Sequence, residues 1–266
     1  MSAPTSTSRR STKASNKASQ LKATTADLIN APYSGGEAAP GTVPIFTGDK
    51  DNKTYLFTAP NKTLLCHFSE KADKRFHPAK YAIDHPHAIA NSHKRELLLP
   101  YDVEHTAVQQ ILIWISTNSL ENPQPLPVDA LKTSANSDAK PEFGEMVNLL
   151  HAAHAFHIKR HLRGNQVRDA LLAHIRAGLG VTLHALKMVV EYAWFDKEIV
   201  GKMQRKVIYE SLMGHLKKGE REAIQGYCVQ SEIYGEMLGV QGVVMGELER
   251  KEVGWVEEGV WEVLEG

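Results

Sequence analysis

The chain has only two cysteines in 266 residues, Cys66 and Cys228, which is too few for a disulfide framework. A reducing compartment is therefore the default, and we predict a cytoplasmic or nuclear location. No apolar run approaches the roughly 18 residues that a transmembrane helix needs. The N-terminus also lacks the apolar stretch of a secretory signal. We expect neither secretion nor a membrane as a partner.

Net charge is missing as well, because 31 basic residues balance 31 acidic ones. No global field therefore attracts a polyanion. Basic residues do not alternate with aromatic ones in a pattern typical of nucleic-acid binding. We expect no nucleic-acid partner.

The sequence lacks the usual motifs of an enzyme. It has no Gly-x-Ser-x-Gly elbow, no phosphate-binding glycine-rich loop with lysine and no Gly-x-Gly-x-x-Gly fingerprint. Cys66 and His67 are neighbours, but neighbouring side chains of a helix point about 100° apart and are poorly placed as a nucleophile–base pair. We interpret Cys66 as a small buried hydrophobe. We expect no catalytic residue and no cofactor.

A group of four histidines is the most suggestive chemical feature. On one unbroken helix, three of them would share a face at i, i+3 and i+7, a spacing that can bind zinc. No cysteine or carboxylate stands among them to act as a further ligand or base, and the alanines between them indicate close helix packing. We interpret the histidines as solvated or core residues that titrate near neutral pH, expect no metal site, and rank a metal-dependent enzyme third. The four residues are His151, His154, His157 and His161.

The most informative stretch covers residues 95 to 120. Its apolar run Leu97–Leu99 ends at Pro100, which disfavours a helix there, so we predict a strand. Asp102 is the predicted N-cap of the helix that follows. Apolar residues then recur at i, i+3, i+4 and i+7, which predicts one buried stripe. The stripe consists of Val108, Ile111, Leu112 and Ile115.

Shorter patterns predict the neighbouring elements. Residues 42–46 and 54–57 are predicted strands of a hairpin, although Pro44 suits an edge position. Asn61 is the predicted cap of a helix with Leu64, Leu65 and Phe68 on one face. Later helices are predicted from residue 142, around residues 167–175, and over 183–195, 197–216 and 221–249.

These stretches resemble the BTB/POZ domain family. LLLPYD…AVQQILIWISTNSL is similar to the family's central strand and helix, and TYLFTAPNKTLLCHFSEKADKRF is similar to its strand and first two helices. LLHAAHAFHI and LRGNQVRDALLAHI resemble the helical hairpin that closes the domain, which implies a helix break near residues 158–160. The nearest likeness is to divergent BTB proteins of filamentous fungi. The resemblance implies an α/β (α+β) fold in which a small β-sheet is covered by α-helices.

We predict four parts in the chain. Residues 1–41 form a basic tail too poor in apolar side chains to fold. Residues 42–177 form the BTB/POZ-like domain, and residues 178–250 form an all-helical C-terminal extension. Residues 251–266 form an acidic tail containing Trp255 and Trp261. We interpret these tryptophans as docking on the chain's own helices, with a partner-binding motif as the alternative.

The resemblance implies a protein–protein interaction module that forms a homodimer through its first strand and first helix. Our first hypothesis is an oligomerising scaffold or regulatory partner. The alternative is a substrate adaptor of a cullin-type E3 ubiquitin ligase, although the glutamate of the family's adaptor signature is Gln110 here. The predicted dimer residues are Ile45, Phe57, Leu64, Leu65 and Phe68. The predicted cullin-contact residues are Val108, Gln109 and Gln110.

Overall fold

The structure is a computed structural model that describes residues 25, 27–30, 39–81, 96–128, 142–177 and 181–250. The tail with Trp255 and Trp261 and most of the predicted N-terminal tail lie outside these residues. The described chain is mixed α/β. Within it, no helix is long and apolar enough to cross a membrane.

A small mixed sheet is formed by β1 (Val43–Gly48), β2 (Lys53–Ala59) and β3 (Leu97–Leu99), in the order β2-β1-β3. The predicted hairpin is confirmed, since β1 and β2 pair antiparallel, while β1 and β3 pair parallel. At the hairpin turn, Gly48 has φ +123, and a Cβ there would lie 2.3 Å from the carbonyl oxygen of Asn52. The turn therefore requires glycine.

Pro44 lies in the central strand, not in an edge strand as its missing N–H group suggested. Pairing between β1 and β3 begins only at Ile45, opposite Leu97. Pro44 is therefore paired on the β2 side alone, opposite Thr58. The proline is tolerated because it stands just before the two-sided part of the strand.

Two short helices follow the hairpin, α1 (Lys62–Phe68) and α2 (Glu70–Phe76). The predicted cap is confirmed, because the Asn61 side chain accepts a hydrogen bond from the amide of Leu64 at 3.0 Å. Ser69 ends α1 and caps α2, where its hydroxyl oxygen accepts from the amide of Ala72. A 3-10 turn, Pro78–Tyr81, completes this segment.

The central helix α3 (His105–Ser116) buries the predicted stripe. Its N-cap is Glu104, whose carboxylate accepts from the amides of Thr106 and Ala107 at 2.9 and 2.6 Å. The prediction of Asp102 as the cap was therefore wrong by two residues. Asp102 belongs to the turn after β3, and the buried Val103 separates it from the helix.

The remaining described elements are helices. The structure gives α4 (Phe143–Ala155), α5 (Arg160–Arg163), α6 (Gln166–Arg176), α7 (Leu183–Tyr192), α8 (Lys197–Leu212), α9 (Lys218–Gln230) and α10 (Tyr234–Arg250). The single helix predicted over residues 221–249 is wrong, because it is broken between α9 and α10. Glu232 adopts φ +62 there, and the amide of Ile233 donates to the carbonyl of Cys228.

The described residues divide into two compact units. The first contains the sheet, α1 to α3 and His151–Gln166. The second contains residues 142–150 and the chain from Val167 onward. Each unit has its own buried apolar core, which includes Phe68 and Ile111 in the first and Leu186 and Val207 in the second. The domain boundary at residue 177 stays a prediction.

Candidate interaction surfaces

The predicted dimer residues occupy two kinds of position. Ile45, Leu65 and Phe68 have no exposed surface, and Leu64 is only 8% exposed. This corrects the prediction for the three fully buried residues, because side chains without exposed surface offer nothing to a second copy. They pack in the chain's own core; the ring of Phe68 lies edge-on to that of Trp114 at 4.9 Å. Phe57 alone among the five is half-buried.

The surface that remains on this side belongs to β2. It is an outer strand of the described sheet, with exposed residues at its start and half-buried residues from Tyr55 to Thr58. Outer strands carry unpaired backbone groups and are natural sites of association. The Lys53 amine pairs with Glu96 at 2.5 Å and lies over the Phe46 ring, which places a charge at the start of the strand.

The predicted cullin-contact residues do not form one surface. Val108 and Gln110 are buried in the first unit, at 0% and 5% exposure. Gln109 is half-buried, and its amide donates to the Asn30 side chain at 2.7 Å. The prediction of a three-residue face is therefore corrected to one accessible residue, because Val108 and Gln110 point to different sides of α3 and both are covered by the first unit.

The N-terminal segment provides the partner of Gln109. Residues 27–29 are helical, and Ile29 is fully buried although residues 1–41 were predicted to be disordered. Disorder is thus corrected for residues 27–30, because one buried isoleucine and one side-chain hydrogen bond hold them against the first unit. The sequence gives no local signal for this contact, since Asn30 and Gln109 are 79 residues apart.

The histidines do not share one helix face. α4 ends at Ala155, His157 adopts φ +52, and Ile158 forms a β-bridge with Ser69. The predicted helix break is confirmed, although it begins a few residues earlier. His154 and His157 bring their ring centroids to 6.0 Å.

His151 has an acidic neighbour that the sequence pattern did not indicate. The buried His151 places its Nε2 atom 3.7 Å from the carboxylate of Asp102. Burial lowers the pKa of His151, and the charge of Asp102 opposes this effect without reversing it. Asp102, predicted as a helix cap, is therefore an electrostatic neighbour of α4 instead.

Burial also lowers the pKa values of His154 and His157, and the nearby charge of Lys71 lowers both further. Both rings therefore favour the neutral form. Among the described residues, no group of three histidine, cysteine or acidic side chains is arranged to hold a metal ion. The local chemistry is that of packed imidazoles beside a partly buried lysine.

Asp73 is the centre of a polar cluster in the described part of the first unit. Its nearly buried carboxylate accepts hydrogen bonds from His77 Nδ1 and Lys80 Nζ, each at 2.8 Å, and from the Tyr81 hydroxyl at 2.5 Å. These contacts tie α2 to the 3-10 turn. The i, i+4 spacing of Asp73 and His77 was visible in the sequence, but convergence of three donors on one carboxylate was not.

Both cysteines are buried, as expected of Cys66. Burial raises the pKa of the Cys66 thiol to about 11, and the charge of Asp73 adds to this effect. Burial alone raises the pKa of Cys228 to about 11. Both side chains are therefore protonated thiols at neutral pH, and such buried thiols are unreactive.

Comparison of this chain with protein-family models, curated proteins and solved structures gives no match. Its function must therefore be argued from its own geometry. That geometry offers an outer strand with apolar side chains, a half-buried glutamine on α3 and polar clusters that link neighbouring elements.

Proposed function

We propose that the chain is a protein–protein interaction module of BTB/POZ type that acts as an oligomerising scaffold or regulatory partner. One observation carries the proposal, namely the order of the elements along the chain. A strand hairpin, two short helices, the β3–α3 unit and a closing series of helices follow one another in the order that the sequence resemblance implies. The apolar stripe of α3 is buried, as a central helix requires.

The polar chemistry of the described residues supports binding over catalysis. The Asp73 carboxylate is occupied by three donors within its own chain. His151, His154 and His157 are kept neutral mainly by burial, and the Cys66 thiol is protonated. These groups are engaged in packing and in hydrogen bonds within the chain.

The burial of side chains on α3 favours a scaffold over a cullin adaptor. The adaptor hypothesis needs an accessible contact along this helix, yet Val108 and Gln110 are buried. Gln109 is engaged by Asn30. A pull-down with a cullin scaffold protein is expected to recover none of this chain above the level of a bead control.

The oligomer is tested by light scattering on the full chain. Phe57→Glu places a charge on the half-buried side chain of β2, and an uncompensated charge in a contact is costly. The parent is expected to be a dimer and the variant a monomer with an unchanged circular dichroism spectrum. Thr58→Glu is the matched control, because Thr58 is also half-buried but pairs with Pro44 on the opposite face of the same strand.

A parent that stays monomeric at high concentration would remove the dimer from the proposal. Equal dissociation by Phe57→Glu and Thr58→Glu would show that charge on the strand as a whole, and not the face of Phe57, controls association. Leu64, another of the predicted dimer residues, cannot be tested in the same way. It is buried, and Leu64→Asp is expected to unfold the first unit.

A further inference from the structure

The second unit contains a cavity of about 280 Å³ that the proposed function does not use. It lies between the start of α4, the end of α6, the start of α7 and the middle of α8. Its apolar wall includes Phe143, Ile175 and Met203, and its polar lining includes His174, His184 and Lys206. Met203 is buried, while His184 is exposed and marks the open side.

The size of the cavity limits what it can hold. Pockets for drug-sized molecules usually measure about 300–1,000 Å³. A cavity just below that range fits one large side chain better than an extended ligand. Tryptophan combines a large apolar surface with a polar N–H group, which matches an apolar wall with a polar opening.

Charge favours an acidic segment as the occupant. The lining contains three basic side chains, Lys206, His174 and His184, and a single acidic one, Glu142. The Lys206 amine is 2.6 Å from the carboxylate of Glu210. Glu210 also accepts a hydrogen bond from His215, so its negative charge is shared between two basic side chains. Residues 251–266 contain five glutamates, one lysine and the tryptophans Trp255 and Trp261.

This tail also starts near the cavity. Glu247 on α10 pairs with Arg205 on α8 at 3.2 Å, and Arg205 is the immediate neighbour of the cavity residue Lys206. α10 ends three residues later, at Arg250. An extended chain covers about 3.3 Å per residue, so Trp261 can lie up to roughly 36 Å from Arg250, more than enough to pass around α8. Trp255 reaches only about half as far.

We propose that Trp261 occupies this cavity, so that the acidic C-terminal tail binds the helical unit of its own chain. The flanking Glu258 and Glu262 then lie near the basic groups of the lining. This inference is independent of the dimer, because it concerns only the second unit. It gives the tail an intramolecular binding site instead of an external partner.

The test uses the ¹⁵N-labelled full-length chain and the indole N–H signals of its four tryptophans, assigned by single Trp→Phe variants. Gly144→Leu adds a side chain to the cavity wall, where a Cβ meets only Met188 at 3.9 Å. It is expected to move the Trp261 signal to the position of a free tryptophan. Gly201→Leu is the matched control, since it adds the same side chain in open space on α8 and is expected to leave Trp261 unchanged.

Three results would overturn the proposal. In the first, the indole N–H signal of Trp261 in the parent already has the chemical shift of a solvent-exposed tryptophan. In the second, the signal shifts equally in Gly144→Leu and Gly201→Leu. In the third, the chemical shift of Trp261 in the parent depends on protein concentration. The last result would mean that the tail binds a second copy. Circular dichroism checks folding, and if Gly144→Leu unfolds the unit, Ala185→Leu introduces the same bulk from α7.

Discussion

The Asp73 carboxylate accepts hydrogen bonds from three side chains, and we expect its substitution to destabilise the first unit. Asp73→Asn keeps the shape but removes the charge that Lys80, His77 and Tyr81 bind. We expect a loss of about 1–3 kcal/mol in the free energy of unfolding, measured with urea at pH 7. Glu70→Gln is the control on the same helix. Its exposed pair with Lys74 is expected to contribute only about 0.3–0.5 kcal/mol.

The same residue predicts a pH dependence. Burial opposes ionisation of Asp73, but the hydrogen bonds from Lys80, Tyr81 and His77 outweigh it and hold its pKa well below the ordinary value of 3.8. A lowered acid pKa stabilises the fold above pH 3.8, and this contribution is lost as the pH falls toward the folded-state value. The stability difference between parent and Asp73→Asn should therefore be constant from pH 5 to 7 and shrink below about pH 4. A difference that persists at low pH would contradict the role of the charge.

At the scale of elements, α3 contributes seven buried residues to the first unit. Ile111 and Leu112 are fully buried on its apolar stripe. Truncation of either to alanine should cost about 2–5 kcal/mol, from lost burial and the cavity left behind. Ile113→Ala is the matched control, because Ile113 is half-buried on the same helix and should lose less. Thermal unfolding checks this, and midpoints within about 1 °C of the parent for both core variants would be too small for such a loss.

The apolar spacing of α3 predicted its buried face correctly, for a simple physical reason. Burial of one helix face repeats with the 3.6-residue turn, so Val108, Ile111, Leu112 and Ile115 could be predicted from their spacing. The N-cap was harder to place, because Asp102 and Glu104 are both acidic residues that can accept backbone hydrogen bonds. The break at Glu232 was missed because the apolar pattern continues across it, and a single left-handed residue leaves little trace in the sequence.

The candidate surfaces could be predicted less well than the helices. An apolar pattern shows that Ile45, Leu65 and Phe68 are covered, but it does not show whether the chain itself or a second copy covers them. The hydrogen bond from Gln109 to Asn30 depends on tertiary contact alone. The histidine spacing predicts a common face only on an unbroken helix, and α4 ends at Ala155, before His157.

At the scale of the whole molecule, the two cysteines report on the two units separately. Cys66 belongs to the first unit and Cys228 to the second, and both are buried thiols with pKa values of about 11. A thiol reagent at pH 8 can therefore react only when the unit opens. The rate of labelling in a chain with one cysteine measures the opening of the unit that carries it.

We expect the two units to open independently, since each has its own apolar core. Ile111→Ala should raise the labelling rate of Cys66 in a Cys228→Ala chain, by roughly 25-fold for a loss of about 2 kcal/mol. The same substitution should leave Cys228 unchanged in a Cys66→Ala chain. Leu186→Ala, which truncates a fully buried residue of the second unit, should give the reverse pattern. If either substitution accelerates both cysteines equally, opening is a single cooperative event, and the division into two units has no counterpart in stability.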